Sequence, residues 1–169
     1  MPLVFEPLGA QHDRPTFTCG VPALDRWFHA QAGQDDRRSV ARTFVALDEQ
    51  GIAGFYTLGM FAVALGELPA AVVKKLPKYP EVPAVLIGRL ARAERVRGQG
   101  VGELLVADAL TRVLAAGRSI ATFAVVVDAK NATAAAFYRG LGFLPFPSRP
   151  SRLFLPTATA AAALASSDR

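Results

Sequence analysis

The sequence predicts an α/β fold built on one sheet of mixed direction. Three observations carry that prediction. The run Val82 to Ala93 is apolar on both faces at its start, as expected of a strand central in a sheet. A basic, glycine-punctuated turn follows, Arg97-Gly98-Gln99-Gly100-Val101-Gly102, and opens at once into a helix-period pattern ending near Ala116. A β-branched run, Ile120 to Val127, and a short helical pattern come next.

Taken in order, Val4 and Phe5 form a short strand between Pro2 and Pro7. A helix is expected from Pro22 to about Gln34, because proline suits a first turn and Leu24, Trp27 and Phe28 recur at helical spacing. Val40 to Leu47 and Gly51 to about Leu65 read as strands joined by a hairpin at Asp48-Glu49-Gln50-Gly51. Leu68 to Tyr79 reads as one short helix and an extended proline-rich link carrying Lys74, Lys75 and Lys78. The central strand follows, then a helix from Gly100 to Ala116 stopped by Gly117. After the strand Ile120 to Val127, a short helix spans Asn131 to Arg139. Two short strands lie at Phe143–Leu144 and Arg152–Leu155. No repeat or linker divides the chain, so residues 1–169 are expected to form one domain, with an alanine-rich tail from about 157 that starts helical and then frays.

Composition narrows the function classes. With 51% hydrophobic and 20% charged residues, 169 residues can bury a sizeable core. No apolar run reaches the length of a membrane span and the N-terminus lacks a signal-peptide pattern, so no membrane role and a cytoplasmic location are expected. One cysteine, Cys19, excludes an internal disulfide, and with only His12 and His29 beside it no metal site is expected. The net charge of +5 modestly favours polyanions.

The turn Arg97 to Gly102 carries the first chemistry. A strand, a glycine loop and a helix N-terminus together present free N–H groups to a pyrophosphate. Glycine removes the Cβ that would block backbone approach, and Arg97 adds charge. No Gly-Lys-Ser/Thr follows, so this is not a nucleotide P-loop, and the spacing is wrong for a dinucleotide fingerprint.

Arg97-x-x-Gly100-x-Gly102 after a strand resembles the acyl-CoA pyrophosphate loop of the GNAT acetyltransferases. Asn131 followed by Phe137-Tyr138-Arg139-Gly140-Leu141-Gly142-Phe143 is similar to that family's second signature. The resemblance narrows to one branch, the acetyltransferase toxins of bacterial toxin–antitoxin modules. It rests on Phe17-x-Cys19-Gly20-x-x-x-Leu24-Asp25-x-Trp27-Phe28, Gly54 to Leu58, Leu76-Pro77-x-Tyr79-Pro80, Ile87 to Ala91, and Pro150-x-Arg152-Leu153-x-Leu155. It implies the GNAT fold, a mostly antiparallel mixed sheet with a splayed central strand pair flanked by helices. It also implies acetyl-CoA as cosubstrate without a metal, aminoacyl-tRNA as acceptor, a ribbon–helix–helix antitoxin as partner, and a homodimer as a common family state.

The same resemblance assigns residues. Leu90, Ala91 and Arg92, with Arg97, Gly98, Gln99, Gly100, Val101, Gly102 and Asn131, would bind acetyl-CoA. An N–H near Leu90 to Arg92 would face the developing oxyanion. Tyr138 is the general acid expected to protonate the leaving thiolate. No general base stands out: Glu94 and Asp128 lie near the motifs, but a solvated carboxylate is the commoner reading. An α-amine needs little help, since with a pKa near 8 roughly a tenth is neutral at pH 7. Lys75, Lys78, Arg89 and Arg92 are candidate RNA contacts. Trp27, Phe28 and Leu24 read as the core face of the first helix, and Cys19 as a buried turn residue. Two other functions fit the loop: acetylation of a small amine or protein N-terminus, and a non-catalytic acyl-CoA-binding or co-regulator module.

Overall fold

The computed structural model describes residues 2–167. Strands form at β1 (Val4–Pro7), β2 (Arg42–Asp48), β3 (Gly51–Ala64), β4 (Glu81–Arg92), β5 (Ala124–Asp128), β6 (Leu144–Phe146) and β7 (Arg149–Pro156). Helices form at α1 (Pro22–Ala30), α2 (Ala32–Arg37), α3 (Ala70–Val73), α4 (Val101–Ala116), α5 (Ala132–Gly140) and α6 (Thr157–Ser167). The strands make one seven-stranded sheet, ordered β1-β2-β3-β4-β5-β7-β6. β4 and β5 run parallel, while β1–β2, β2–β3, β5–β7 and β6–β7 are antiparallel. β4 is therefore the middle strand, as its two-sided apolar pattern predicts. The parallel register joins Ala84–Ile87 to Ala124–Val127 and ends there.

The chain divides into two units, Met1–Gly59 with Gly88–Ala109, and Met60–Ile87 with Leu110–Arg169. The first is centred on an aromatic cluster. Phe28 stacks on Phe55 at 4.2 Å, and Phe17 meets both edge-on at 5.0 and 5.6 Å. Such pairs add about 1 kcal/mol each beyond area burial. The second holds its own core of Val63, Leu68, Val82, Ala84, Val126, Phe146 and Phe154.

The structure departs from the sequence expectation at several boundaries: β6 runs from Leu144 to Phe146 rather than Phe143 to Leu144, β7 opens at Arg149 rather than Arg152, and three others have a visible cause. The single helix expected from Pro22 to Gln34 is two helices broken at Gln31. Arg14 explains the break: its guanidinium donates to the Phe28 carbonyl at 3.0 Å, an acceptor the helix would otherwise use. β2 starts at Arg42 rather than Val40, because the turn from α2 still occupies Ser39, at φ +58, and Val40 and Ala41 bond back to the Asp35 carbonyl. β5 starts at Ala124 rather than Ile120, because the chain is still leaving α4: both Ser119 and Ile120 donate to the Ala116 carbonyl. In the tail, the Thr157 hydroxyl fixes the start of α6 on the Thr122 and Phe123 carbonyls, at 2.9 and 3.1 Å. The last two residues of the segment expected to fray lie outside the described residues.

Candidate active site

The glycine loop belongs to the first unit. A 3₁₀ turn, Glu94–Val96, leads into it from β4, and α4 leaves it. Arg97 donates to the Glu94 carbonyl and Gln99 to that of Val96, which winds the loop tightly. Gly98 and Gly100 then adopt φ of +78° and +77°. This left-handed region costs other residues about 1 kcal/mol or more. Space is not the constraint at Gly98, where an added Cβ would meet nothing within 4 Å. The first hydrogen bond of α4 runs from Leu104 to the Gly100 carbonyl, so Val101, Gly102 and Glu103 carry N–H groups ahead of the helix's own ladder. Arg97, Gly98, Gln99 and Gly100 are exposed. An open loop with N–H groups, a helix dipole and one cation is the donor set a pyrophosphate needs.

Leu90, Ala91 and Arg92 are the last three residues of β4. Just before them the strand is irregular. The Arg89 N–H donates to the buried Thr57 hydroxyl at 3.0 Å, a side-chain acceptor in place of a carbonyl. The Arg89 guanidinium sits over the Trp27 ring, 4.1 Å from its centre. Burial holds this guanidinium below its ordinary value, and the Asp35 charge opposes that shift. Trp27 is half-buried rather than core, stacked on Phe55 at 6.0 Å, whereas Phe28 is fully enclosed. This corrects the core assignment of Trp27: its outer face carries the guanidinium.

Nothing in the local sequence marks Asp48 and Arg95 as a pair. Arg95, in the 3₁₀ turn, donates to both Asp48 oxygens at 2.7 and 2.8 Å and to the Ile52 carbonyl at 3.1 Å. The Asp48 side chain is 1% exposed, and the Arg95 contact holds its carboxyl below the ordinary 3.8. The pair ties the β2–β3 hairpin to the turn that feeds the loop. Its members lie 47 residues apart, so no local pattern announces it.

In the second unit, Asn131 caps α5, its side-chain oxygen accepting from Ala134 N–H at 2.8 Å. The Tyr138 ring packs edge-on against Phe137 and Phe143 at 5.1 and 5.5 Å, leaving the residue 8% exposed. Its hydroxyl bonds to no described residue, yet it is not among the fully sealed polar atoms. Burial pushes the phenol up to about 12, so it carries its proton throughout the physiological range. A group in that state can donate a proton and cannot act as a base. Asp128 is engaged by two guanidiniums: Arg152 at 2.8 and 3.1 Å and Arg149 at 3.9 Å. Arg152 in turn lies over the Phe61 ring at 4.9 Å. This arrangement braces β5 against β7 and leaves Asp128 poorly placed as a free base. Glu94 stays exposed, as do Lys75 and Lys78 beyond α3, while Arg92 is half-buried. Among the described residues no group of three His, Cys, Asp or Glu side chains could hold a metal ion.

The acetyltransferase (GNAT) family pattern matches residues 9–143. The chain belongs to the GNAT family. This acetyltransferase is 33% identical, over 143 residues and 85% of each chain, to a tRNA-acetylating toxin of Mycobacterium tuberculosis strain ATCC 25618 / H37Rv. It is also similar to AtaT complexed with acetyl-methionyl-tRNAfMet, at 30% identity and a TM-score of 0.89, covering 96% of this chain and 99% of that one. A third likeness is to a tyrosine-to-phenylalanine mutant of AtaT bound to the C-terminus of the antitoxin AtaR and acetyl-CoA. There the identity is 28%, the TM-score 0.82, and the coverage 96% of this chain and 98% of that one. The mixed sheet and flanking helices are those of the GNAT fold. Among the described residues no helix is long and apolar enough to cross a membrane.

Proposed function

We propose that this GNAT acetyltransferase transfers the acetyl group of acetyl-CoA to the α-amine of an aminoacyl-tRNA, and so acts as a toxin that stops translation. The observation that carries the proposal is likeness over nearly the whole chain to proteins described as acetylating tRNA or bound to its acetylated form. An antitoxin is the corresponding protein partner, by likeness to AtaT with AtaR, and a ribbon–helix–helix protein is the form expected. Charged tRNA and acetyl-CoA both occur in the cytoplasm, which is where the chain would work.

Acetyl-CoA supplies the activated acetyl thioester, and the chain's residues do the rest. Arg97 to Gly102 hold the pyrophosphate through N–H groups and charge. Leu90, Ala91 and Arg92 offer backbone groups to the pantetheine arm and the carbonyl oxygen. Tyr138 delivers the proton required by the departing sulfur. Its phenol is protonated at neutral pH, as a proton donor must be, and its packing between Phe137 and Phe143 holds it in place. The attacking α-amine is substantially neutral near pH 7, so no dedicated base is required.

The test is acetyl transfer from radiolabelled acetyl-CoA to charged tRNA, uncharged tRNA, polyamines and peptides. Label that appears on charged tRNA and is released with the amino acid on mild alkaline hydrolysis supports the reading. Label only on polyamines or peptides would refute it.

A further inference from the structure

We propose that Arg89 and Trp27 form an anchor for the phosphate of the terminal nucleotide of the acceptor, with Asp35 as the residue that positions the indole. This rests on aminoacyl-tRNA being the acceptor and goes beyond it by naming where the RNA end is gripped.

Arg89 is held from both ends. Its backbone N–H is fixed by the Thr57 hydroxyl at 3.0 Å, and its guanidinium carbon sits over the Trp27 ring, 4.1 Å from the ring centre. Trp27 is held in turn. Its indole N–H donates to one Asp35 oxygen at 3.3 Å, Gln31 donates to the other at 3.1 Å, and Phe55 backs the ring at 6.0 Å. The guanidinium is thereby held over the ring with its N–H groups bonded to no described residue. Among the described residues no carboxylate comes within ion-pair distance of Arg89 and no acceptor takes its side-chain donors. The contrast with Arg95 and Arg152 is direct, since each of those is clamped on an aspartate by two hydrogen bonds.

A half-buried cation with no carboxylate in ion-pair contact, whose lost hydration is offset only by the more distant charge of Asp35, is a site for an anion from outside. A planar fork with both edges free suits phosphate bidentately. Its position suits the terminal nucleotide. Arg89 and Ala91 are alternate residues of β4, about 7 Å apart along the strand. Ala91 belongs to the segment assigned to the acetyl group. In an aminoacyl-tRNA the α-amine and the nearest phosphate are separated by one ribose, so an amine at Ala91 brings that phosphate into reach of Arg89. A free small amine carries no such phosphate, and for it this fork would have no use.

The experiment compares two stable acceptors, 3′-aminoacylamido-3′-deoxyadenosine with and without a 5′-phosphate, alongside charged tRNA. KM for each acceptor, kcat, and KM for acetyl-CoA are measured for the parent chain and for Arg89→Gln, Arg89→Lys, Trp27→Leu and Trp27→Phe. The parent should favour the phosphorylated nucleoside by about tenfold or more in KM. Arg89→Gln should reduce that preference to within about twofold, and Arg89→Lys should retain part of it as a point charge. Trp27→Leu should act in the same direction, and its effect should not add to that of Arg89→Gln, because it works through the same group. Trp27→Phe, which keeps a ring and loses the Asp35 bond, should give an intermediate preference. The anchor is overturned if the parent acetylates charged tRNA but treats the two nucleosides alike. It is equally overturned if the variants raise KM for both nucleosides to the same extent, or if the Trp27 and Arg89 effects add fully. Failure of the parent to acetylate charged tRNA at all would instead bring down the acceptor assignment itself.

Discussion

At the scale of single residues, Tyr138 and Asp48 are opposite cases of burial acting on an acid. Tyr138 loses hydration and gains no partner, so its neutral form is favoured and its pKa rises to about 12. Replacing it with phenylalanine keeps the ring against Phe137 and Phe143 and removes only the hydroxyl. Turnover should fall by about 10²-fold or more while acetyl-CoA affinity and the unfolding midpoint at neutral pH change little. Near-parental turnover would remove Tyr138 from the mechanism. The pKa also has a consequence for stability. The folded chain holds a proton that the unfolded chain releases near pH 10. The contribution of Tyr138 is therefore complete below pH 10 and is lost as pH rises towards about 12. Denaturation curves measured across that window should steepen in their pH dependence for the parent relative to Tyr138→Phe. Asp48 shows the reverse sign. The Arg95 contact favours its charged form, so its contribution is complete above 3.8 and is lost as pH falls below that value.

At the scale of elements, what the sequence makes legible is what local pattern controls. The two-sided apolar run of β4, the glycine loop and the start of α4 all follow from neighbours in the chain. Asn131 as the start of α5 follows from its place before an alanine-rich helix, and the structure makes it a cap. The break at Gln31 depends on Arg14 reaching the Phe28 carbonyl from outside the helix, which no periodicity encodes. The outer face of Trp27 lies beyond local pattern for a related reason. Helical spacing places it on the apolar face beside Phe28, but only the arrival of Arg89 from β4 decides what covers its outer side. The Asp48–Arg95 pair was invisible on the same ground and has the largest consequence for the loop. Arg95→Ala would remove the bidentate partner of a carboxylate that the guanidinium itself shields from water, which costs about 1 kcal/mol for a pair at the surface. Chemical denaturation should show that loss, and calorimetry should show weaker acetyl-CoA binding because the turn before Arg97 is no longer tied to the hairpin. Asp48→Asn should cost less, since it removes the buried charge together with the pairing. Equal losses in the two variants would mean that the pair contributes through packing rather than charge.

At the scale of the whole molecule, the net charge of +5 is too small to hold a long RNA by itself, so geometry must concentrate it. Cations whose charge is matched internally, such as Arg95 and Arg152, have little left to offer a polyanion. Lys75, Lys78 and Arg92 enter no hydrogen bond or ion pair through their side chains among the described residues, and with Arg89 they are the cations proposed to meet phosphates. Each phosphate neutralised releases condensed counter-ions, so the acceptor KM should rise steeply with salt. Between about 50 and 200 mM salt, a few such contacts should weaken charged tRNA by an order of magnitude or more. Lys75→Gln or Lys78→Gln should lower the slope of log KM against log salt by about one contact each and leave the discrimination between the two nucleosides intact. Arg89→Gln should lower both the slope and the discrimination, because its contact lies at the reacting end. Acetyl-CoA provides the internal comparison: in the proposed site its few phosphates would meet the loop at Arg97 to Gly102, so its KM should respond more weakly to salt than that of tRNA. An acceptor KM no more salt-dependent than that of acetyl-CoA would mean that the acceptor is not held through its phosphates, and the cationic set would then have no part in substrate choice.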